Sequence, residues 1–350
     1  MQILHFKSAQ VMFSIFFRAR PEAHRTESEN GMNRRSMVNA MVLGVGGAMA
    51  AAFGWHHHQR TKLPQEMVLK PRSVLSAPDR IGSIFHLGHS LVGPDIPHML
   101  AQLGGNSYAS QIGWGTTLKA HWTEGDALAG YKLYASGDRE LVPARQALSA
   151  PGIDVLVMTE MVEIRDAINW FDSPRWLAEW AALARQRNPT IRIYLYETWH
   201  SLDDPDGWLE RIDNDLKAYW QGRIIAPAET DHRTGEFFVI PGGQTIAAVA
   251  RAAEIGELPG VTSREELFAR DEAGGQDMIH LNDLGAYVIA LIHFTVIHHK
   301  SPVGLPYQLL RADGTRAVSF GAEAAMQVQR IVRDVVRRLP QTGVARERLS

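Results

Sequence analysis

The chain has 350 residues, of which 45% are hydrophobic and 21% are charged, a composition that suits a globular protein with one large core or two modest ones. Its formal net charge of -2 provides no basic field that would hold phosphates, which argues against nucleic acid as a partner. The sequence contains no cysteine, so disulfides, zinc-thiolate sites and a cysteine nucleophile are excluded.

The amino-terminal 58 residues have the pattern of an export segment behind an irregular stretch. Residues 1–31 show no sustained periodicity and are interpreted as disordered, or as an upstream extension of a chain that starts at Met32. Arg34 and Arg35 precede an apolar run, within which Ala48-Met49-Ala50 offers small residues to a signal peptidase. Residues 32–58 are therefore predicted to be an export signal that resembles the twin-arginine type, or an uncleaved membrane anchor, and the protein to be periplasmic or extracellular.

The stretch from Ile81 to Gly93 predicts a strand, a tight turn and a helix. It follows residues 59–80, a polar segment with three prolines that is interpreted as a linker. Ser90 falls where the strand ends and the helix begins, with its backbone N–H beside the positive end of the helix dipole. The hydroxyl of Ser90 would then lie next to an anion site, although a serine at this place is also the usual helix N-cap.

The rest of the chain alternates apolar strands with amphipathic helices, a pattern typical of a parallel sheet that is covered on both faces. Further strands are predicted at residues 107–112, 154–158, 191–196 and 237–240, and further helices at residues 176–185, 208–220, 244–255, 284–298 and 322–339. Residues 122–150 contain three glycines and no clean period, and are interpreted as an insertion over one rim of the sheet.

A second motif lies near the far end of the chain, where Asp277 and His280 stand three residues apart, just ahead of an apolar helix. A serine nucleophile needs a base within hydrogen-bond reach, and the base needs an acceptor that fixes its tautomer. Ser90, His280 and Asp277 would supply these three groups. His280 lies before the amino terminus of the helix, where the dipole disfavours imidazolium and keeps the ring neutral.

The G-H-S-L sequence at residues 88–91, followed far downstream by D-x-x-H at residues 277–280, resembles the SGNH or GDSL-type hydrolases. His89 stands where that family has its aspartate, and the resemblance extends over residues 81–298. It implies hydrolysis of an ester by Ser90, His280 and Asp277, with no metal or organic cofactor. The fold class it implies is α/β, with residues 81–339 forming a three-layer α/β/α domain around a five-stranded parallel sheet in flavodoxin-like order. Residues 340–350 are expected to be a flexible tail.

The same resemblance implies an oxyanion hole in which Ser90 and a glycine after the second strand donate backbone N–H groups. Gly113 and Gly115 are available there, and Gly115 is the better match, although the segment also reads as a plain glycine turn. The family places an asparagine after the strand at residues 154–158, and this chain has Thr159 and Glu160 instead. Because an ionised Glu160 would repel an oxyanion, either Thr159 donates, or two backbone donors suffice, or the site is weakened.

The substrate is expected to be an ester of a carbohydrate. Glu197 and Trp199 follow the strand at residues 191–196 and would lie at the same sheet edge as Ser90 if the strands are parallel. Trp199 could support a sugar ring or pack at the rim, and Glu160 and Glu197 could accept hydrogen bonds from sugar hydroxyls. With the export segment, these residues favour an O-acetylated carbohydrate over a lipid or a thioester.

Two other classes of protein are alternatives to an ester hydrolase. A catalytically idle member of the same fold that binds polysaccharide at the cell surface is favoured by the missing asparagine. A flavodoxin-like nucleotide binder is disfavoured, because no glycine-rich phosphate loop follows the first strand.

Overall fold

The computed structural model describes residues 67–137, 140–271 and 273–350, which belong to one compact unit. The predictions for residues 1–31, for the export signal or membrane anchor at residues 32–58 and for the start of the linker fall outside the described residues. Within those three ranges, no helix combines the length and the apolar character needed to cross a bilayer.

Strands and helices alternate along the chain, as the sequence pattern predicts. The strands are β1 (Ser83–His89), β2 (Ser107–Gly113), β3 (Lys132–Ala135), β4 (Val155–Met158), β5 (Arg192–Glu197), β6 (Phe238–Pro241), β7 (Phe268–Arg270) and β8 (Gln276–Leu281). The helices are α1 (Asp95–Gly104), α2 (Leu118–Thr123), α3 (Ala144–Leu148), α4 (Ile164–Phe171), α5 (Ser173–Arg187), α6 (Trp208–Asp215), α7 (Gly242–Glu254), α8 (Asp283–His298) and α9 (Ala322–Arg338). Helix α6 continues as a π-helical segment, Leu216–Ile225, and a last turn, Ala226–Ala228.

Strands β1 to β6 form one sheet in the order β3-β2-β1-β4-β5-β6. Strands β2, β1, β4, β5 and β6 pair in parallel, and β3 runs antiparallel to β2. The predicted α/β class is confirmed, and the five parallel strands have the expected flavodoxin-like order. The sheet nevertheless has six strands rather than five. The sixth, β3, is a four-residue edge strand without a buried side chain, and such a strand carries little hydrophobic pattern.

The two faces of the sheet bury separate hydrophobic cores, which gives the three layers. Because successive side chains of a strand point to opposite faces, Ile84 joins one core and Phe85 the other. The core on the Ile84 side contains residues of α1, α7, α8 and α9, and the core on the Phe85 side contains residues of α3, α4, α5 and the π-helical segment. Every residue of β1 is buried, so the strand that leads to Ser90 is fixed from both sides.

The segments at the two ends of the described chain pack against the domain. Residues 67–80 have no regular secondary structure, but the Arg72 side chain is buried and forms an ion pair with Glu229. Leu75 N donates to Gly343 O at 2.9 Å. The expectation of a flexible tail at residues 340–350 is wrong, because Thr342 and Leu349 are fully buried and two short 3₁₀ turns order the segment.

Candidate active site

Ser90 is the first residue beyond β1 and lies in a tight turn at the carboxyl edge of the sheet. The turn is closed by a hydrogen bond from Val92 N to His89 O at 2.9 Å. Helix α1 begins only at Asp95, with Pro94 at the N-cap position. The prediction that the helix begins at Ser90 is therefore wrong, and Ser90 is neither its N-cap nor placed in its first turn.

The turn depends on Gly88, which lets the end of β4 come close to β1. A Cβ atom at Gly88 would lie 2.5 Å from Cγ2 of Thr159 and 3.0 Å from Cγ2 of Val92. Real side chains do not approach so closely, so a larger residue at this position would push apart the two central strands. Close packing between the end of β1 and the residue after β4 therefore explains why the G-H-S-L sequence has a glycine at residue 88.

Asp277 and His280 lie on β8, which pairs with β7 in a two-stranded antiparallel hairpin. No strand was predicted at either place. The loop after β5 holds this strand in place, because Trp199 Nε1 donates to Ile279 O at 2.8 Å. Leu202 N likewise donates to Met278 O at 2.8 Å. Two hydrogen bonds therefore fix the backbone between Asp277 and His280 to the edge of the main sheet.

Asn282 fixes the start of α8 two residues after His280. Its Oδ1 accepts hydrogen bonds from Leu284 N at 2.9 Å and from Gly285 N at 3.2 Å, which is the usual N-cap arrangement. Its Nδ2 donates to Phe268 O at 3.1 Å and so also connects the helix start to β7. The chain on both sides of His280 is therefore held by specific contacts.

The structure brings Ser90, His280 and Asp277 together in one hydrogen-bonded chain, although 190 residues separate the first two. His280 Nε2 lies 3.0 Å from Ser90 Oγ, and His280 Nδ1 lies 2.9 Å from Asp277 Oδ2. A carboxylate can only accept, so Nδ1 carries the proton and Nε2 presents its lone pair to the serine hydroxyl. This is the tautomer that a general base needs.

The Asp277 carboxylate is held in its ionised form. Its Oδ1 accepts hydrogen bonds from the backbone N–H groups of Ile279 and His280, each at 2.9 Å. Partial burial works against ionisation, but these two bonds and the contact with the His280 ring outweigh it and lower the pKa of Asp277 below its ordinary value. Asp277 is thus a charged acceptor that orients the imidazole.

A cavity of about 150 Å³ opens beside Ser90 and His280. It is lined by Ser90, Leu91, Val92, Gly93, Pro94, Asp95, Ile96, Trp199, His280, Leu281 and Ala286. A cavity that holds benzene has a similar volume. The space next to the serine therefore accommodates a small acyl group.

Two buried histidines, neither of which was predicted to belong to the site, hold the turn that carries Ser90 through hydrogen bonds. His89 Nδ1 accepts from Leu91 N at 3.3 Å, and its Nε2 lies 2.9 Å from Glu160 O. His121 Nε2 lies 2.7 Å from Gly88 O, and its Nδ1 lies 2.9 Å from Gln111 Nε2. In each ring one nitrogen accepts and the other donates. Burial lowers the pKa of both histidines to about 4, so both are neutral near pH 7.

Glu160 was predicted to contact the substrate, and the structure places its side chain in the interior instead. The carboxylate is fully buried and accepts hydrogen bonds from Met161 N at 2.8 Å, Leu118 N at 3.3 Å and Ser173 Oγ at 2.6 Å. Burial raises the pKa of Glu160 from its ordinary 4.5 to about 7, against the effect of these donors. Glu160 thus joins the loop after β4 to the starts of α2 and α5, and it does not line the cavity.

Glu197 is also buried and likewise does not line the cavity. Its carboxylate accepts from Gln244 N at 3.2 Å near the start of α7, and burial raises the pKa of Glu197 to about 8. The expectation that Glu197 contacts sugar hydroxyls is corrected by this placement. Trp199 lines the cavity, but only 1% of it is exposed, so it is not an open platform for a sugar ring.

The residues expected at the oxyanion hole are placed as follows. Gly115 has a φ of +55° on the loop after β2, and a Cβ atom there would meet no other atom within 4 Å, so the space beside it is open. Thr159 N already donates to Leu87 O at 3.0 Å. The Thr159 hydroxyl is buried and has no hydrogen-bond partner among the described residues. Thr159 can therefore donate only through its side chain.

Comparison with known proteins gives structural neighbours and no sequence relatives. No family model matches the sequence, and no curated protein matches it. The chain is similar in structure to a DUF4886 family protein from Bacteroides uniformis, with 14% identity, a TM-score of 0.47, and 73% of this chain and 94% of that one covered. It is similar to a putative GDSL-like lipase from Parabacteroides merdae, with 10% identity, a TM-score of 0.36, and coverage of 65% and 99%. It is also similar to phospholipase A1 from Streptomyces albidoflavus, with 13% identity, a TM-score of 0.33, and coverage of 63% and 96%.

The fold and the site together define an α/β protein with a Ser-His-Asp hydrogen-bonded chain at the carboxyl edge of its parallel sheet. That edge is where ligands bind in open sheets of this class. In the ranges that the structure describes, no group of three or more histidine, aspartate or glutamate side chains is arranged to hold a metal ion.

Proposed function

We propose that the protein is a serine ester hydrolase of the SGNH or GDSL type that acts on short-chain esters. The observation that carries this proposal is the chain of contacts from Ser90 Oγ to His280 Nε2 at 3.0 Å and from His280 Nδ1 to Asp277 Oδ2 at 2.9 Å. A serine that only capped a helix would need neither contact. This arrangement favours an enzyme over the alternative of an idle polysaccharide-binding protein.

The proposed reaction has two steps that use the same three residues. Ser90 Oγ attacks the acyl carbonyl carbon while its proton passes to His280 Nε2. The tetrahedral intermediate then expels the alcohol, which takes the proton from His280 and leaves the acyl group on Ser90. A water molecule attacks that acyl group with His280 again as the base, and the carboxylic acid and free Ser90 are released.

The developing oxyanion needs donors, and the backbone N–H groups of Ser90 and Gly115 are proposed to supply them. The hydroxyl of Thr159 is proposed as the third donor in place of the family's asparagine, because it has no other hydrogen bond within the described chain. Thr159 does not line the cavity, so its buried side chain has to turn toward the substrate in order to donate. Loss of one such donor commonly costs about 2.7 to 4 kcal/mol of transition-state stabilisation. We therefore expect Thr159→Val to lower kcat by about 10²-fold, and an unchanged kcat would remove Thr159 from the oxyanion hole.

The acyl group is proposed to be small, because the cavity beside Ser90 measures about 150 Å³. The alcohol is proposed to be a carbohydrate, so that the reaction removes O-acetyl groups outside the cytoplasm. The location rests on the export pattern of residues 32–58. A membrane anchor in the same segment would keep the enzyme at the cell surface.

Hydrolysis of 4-nitrophenyl esters of increasing acyl length tests the proposal. We expect kcat/KM to be greatest for the acetyl or butyryl ester and at least tenfold lower for the decanoyl ester. Ser90→Ala should reduce hydrolysis of every ester to background without changing the melting temperature. Full activity in that variant would remove Ser90 from the mechanism, and a preference for the decanoyl ester would refute the assignment of a short acyl group.

A further inference from the structure

Trp114 is a large apolar side chain that the mechanism leaves unused, and 72% of it is exposed. It lies at the carboxyl edge of the sheet, as the first residue after β2, which is the neighbour of β1, the strand that leads to Ser90. In the parallel pair β1 and β2, His89 is opposite Gly113, and Ser90 and Trp114 are the residues that directly follow these two. Adjacent strands are about 4.8 Å apart, so the two residues start from neighbouring points of the sheet edge.

The indole of Trp114 is held in place. Trp114 N donates to Ala129 O at 2.8 Å, which ties the loop after β2 to the segment that leads into β3. The pyrrole part of the ring lies against Gly130, where an added Cβ atom would be 2.3 Å from Cδ1 and Cγ. The φ of Gly130 is +67°, a conformation that favours glycine. The indole is therefore supported on one side and open to solvent on the other.

Trp114 does not line the cavity, and it follows a strand on the opposite side of β1 from the strand that precedes Trp199. Trp199, which lines the cavity, follows β5, whereas Trp114 follows β2, and β1 with Ser90 stands between those two strands in the sheet order. An ester bound across Ser90 has an acyl half and an alcohol half. If the acyl half fills the cavity, the alcohol half extends toward the side of the sheet where Trp114 is exposed.

We propose that Trp114 is the platform on which a sugar ring of the substrate's alcohol half stacks. This inference rests on the proposed ester hydrolase activity and gives the sugar-binding role to Trp114 rather than to the buried Trp199. A flat ring with one open face matches the apolar C–H face of a pyranose.

A long alkyl chain would need a broader apolar surface than this loop offers. Trp114 stands between two glycines in sequence, Gly113 and Gly115, and rests on a third, Gly130. None of these three residues has a side chain that could extend the indole into an apolar groove. We therefore assign the surface to a sugar and not to a lipid.

The test is a ratio of two specificity constants, measured on acetate esters that differ only in their alcohol. One substrate is glucose pentaacetate or an O-acetylated xylotriose, and the other is ethyl acetate, whose alcohol is too small to reach a second site. Trp114→Ala should lower the ratio of kcat/KM for the sugar ester to kcat/KM for ethyl acetate by about tenfold, mainly through KM, as expected when one ring face is no longer buried. Trp114→Phe, which keeps a flat ring, should recover most of the ratio.

Two further variants sharpen the test. Gly130→Ala should lower the same ratio, because the new methyl group displaces the indole. Trp170→Ala is the matched control, since Trp170 is another exposed tryptophan, on α4, and this change should leave the ratio as in the wild type.

The possible results distinguish a failure of the sugar platform from a failure of the proposed esterase activity. If Trp114→Ala leaves the ratio unchanged, or lowers both rates equally, the sugar platform is refuted while the esterase stands. If Trp114→Ala lowers the ratio of kcat/KM for octyl acetate to kcat/KM for ethyl acetate and leaves the sugar ratio unchanged, the indole binds an alkyl chain. That result would also refute the sugar platform. If the wild-type protein hydrolyses neither ester, the proposed function itself fails.

Discussion

Replacing Asp277 with asparagine tests the orientation of His280 without removing any side-chain atom. The Oδ1 atom of Asp277 accepts from two backbone N–H groups, and asparagine can keep both bonds with its own carbonyl oxygen. Its NH₂ group then faces His280 Nδ1, where Asp277 Oδ2 accepts at 2.9 Å in the wild type. Two donors cannot share that contact, so Nδ1 must become the acceptor and the proton must move to Nε2.

The catalytic consequence is large, because Nε2 then carries a proton and has no lone pair to take the one on Ser90 Oγ. The same change in the Ser-His-Asp site of a serine protease lowers kcat by about 10⁴-fold, which corresponds to about 5.5 kcal/mol in the activation free energy. We expect a loss of this size in kcat for 4-nitrophenyl acetate, with KM changed less than threefold. The free energy of unfolding should change by less than about 1 kcal/mol, because both backbone bonds survive.

The assay is the initial rate of 4-nitrophenol release, with thermal unfolding measured on the same preparations. Asp231→Asn is the matched control, since Asp231 also accepts from the backbone N–H two residues ahead, Arg233 N at 2.9 Å, and lies outside the cavity. That variant should keep wild-type activity. If Asp277→Asn retained more than a tenth of wild-type kcat, the assignment of Asp277 as the residue that orients the base would be refuted.

Two further predictions concern stability. Burial raises the pKa of Glu160 from 4.5 to about 7, so the folded chain binds the Glu160 proton more tightly than the unfolded chain does. The protonated carboxyl therefore contributes its full stabilisation below pH 4.5, and this stabilisation is lost as the pH rises through 7. In urea titrations, the free energy of unfolding of the wild type should fall between pH 4.5 and pH 7 by about 3 kcal/mol more than that of Glu160→Gln. An equal fall in the two proteins would contradict the raised pKa. Gly88→Ala should destabilise the protein by about 1 to 3 kcal/mol and lower kcat, because its Cβ would lie 2.5 Å from the Thr159 methyl group. Gly321→Ala, where a Cβ meets nothing within 4 Å, is the control, and equal effects of the two changes would exclude the clash as the cause.

The main sheet could be predicted from the sequence because its central strands are buried on both faces and read as short apolar runs. Residues 154–158 are one such run, and the structure has β4 at Val155–Met158. The edge strand β3 and the hairpin of β7 and β8 could not be predicted in this way. Their side chains are largely half-buried or exposed, so tertiary pairing rather than hydrophobic pattern decides their conformation.

The residues of the hydrogen-bonded chain could be chosen from the sequence because two short motifs held all three. The residues that surround the site could not be predicted from the sequence. Glu160 follows β4 and Glu197 is the last residue of β5, so both lie at the correct edge of the sheet. The end of a strand does not tell whether a side chain there turns outward or into the interior. The structure buries both and leaves Trp114 exposed instead. Exposure at a loop depends on what packs beneath it, here Gly130, and no local pattern records that contact.

Labelling with a fluorophosphonate tests the central claim most directly, because only a serine whose proton is taken by a neighbouring base reacts quickly at phosphorus. The wild-type protein should be labelled once, and peptide mass spectrometry should place the label on Ser90. The Ser90→Ala protein should take up none, and His280→Ala should be labelled at least 10²-fold more slowly. A wild-type protein that is not labelled, or is labelled at another serine, would contradict the assignment of Ser90 as the nucleophile.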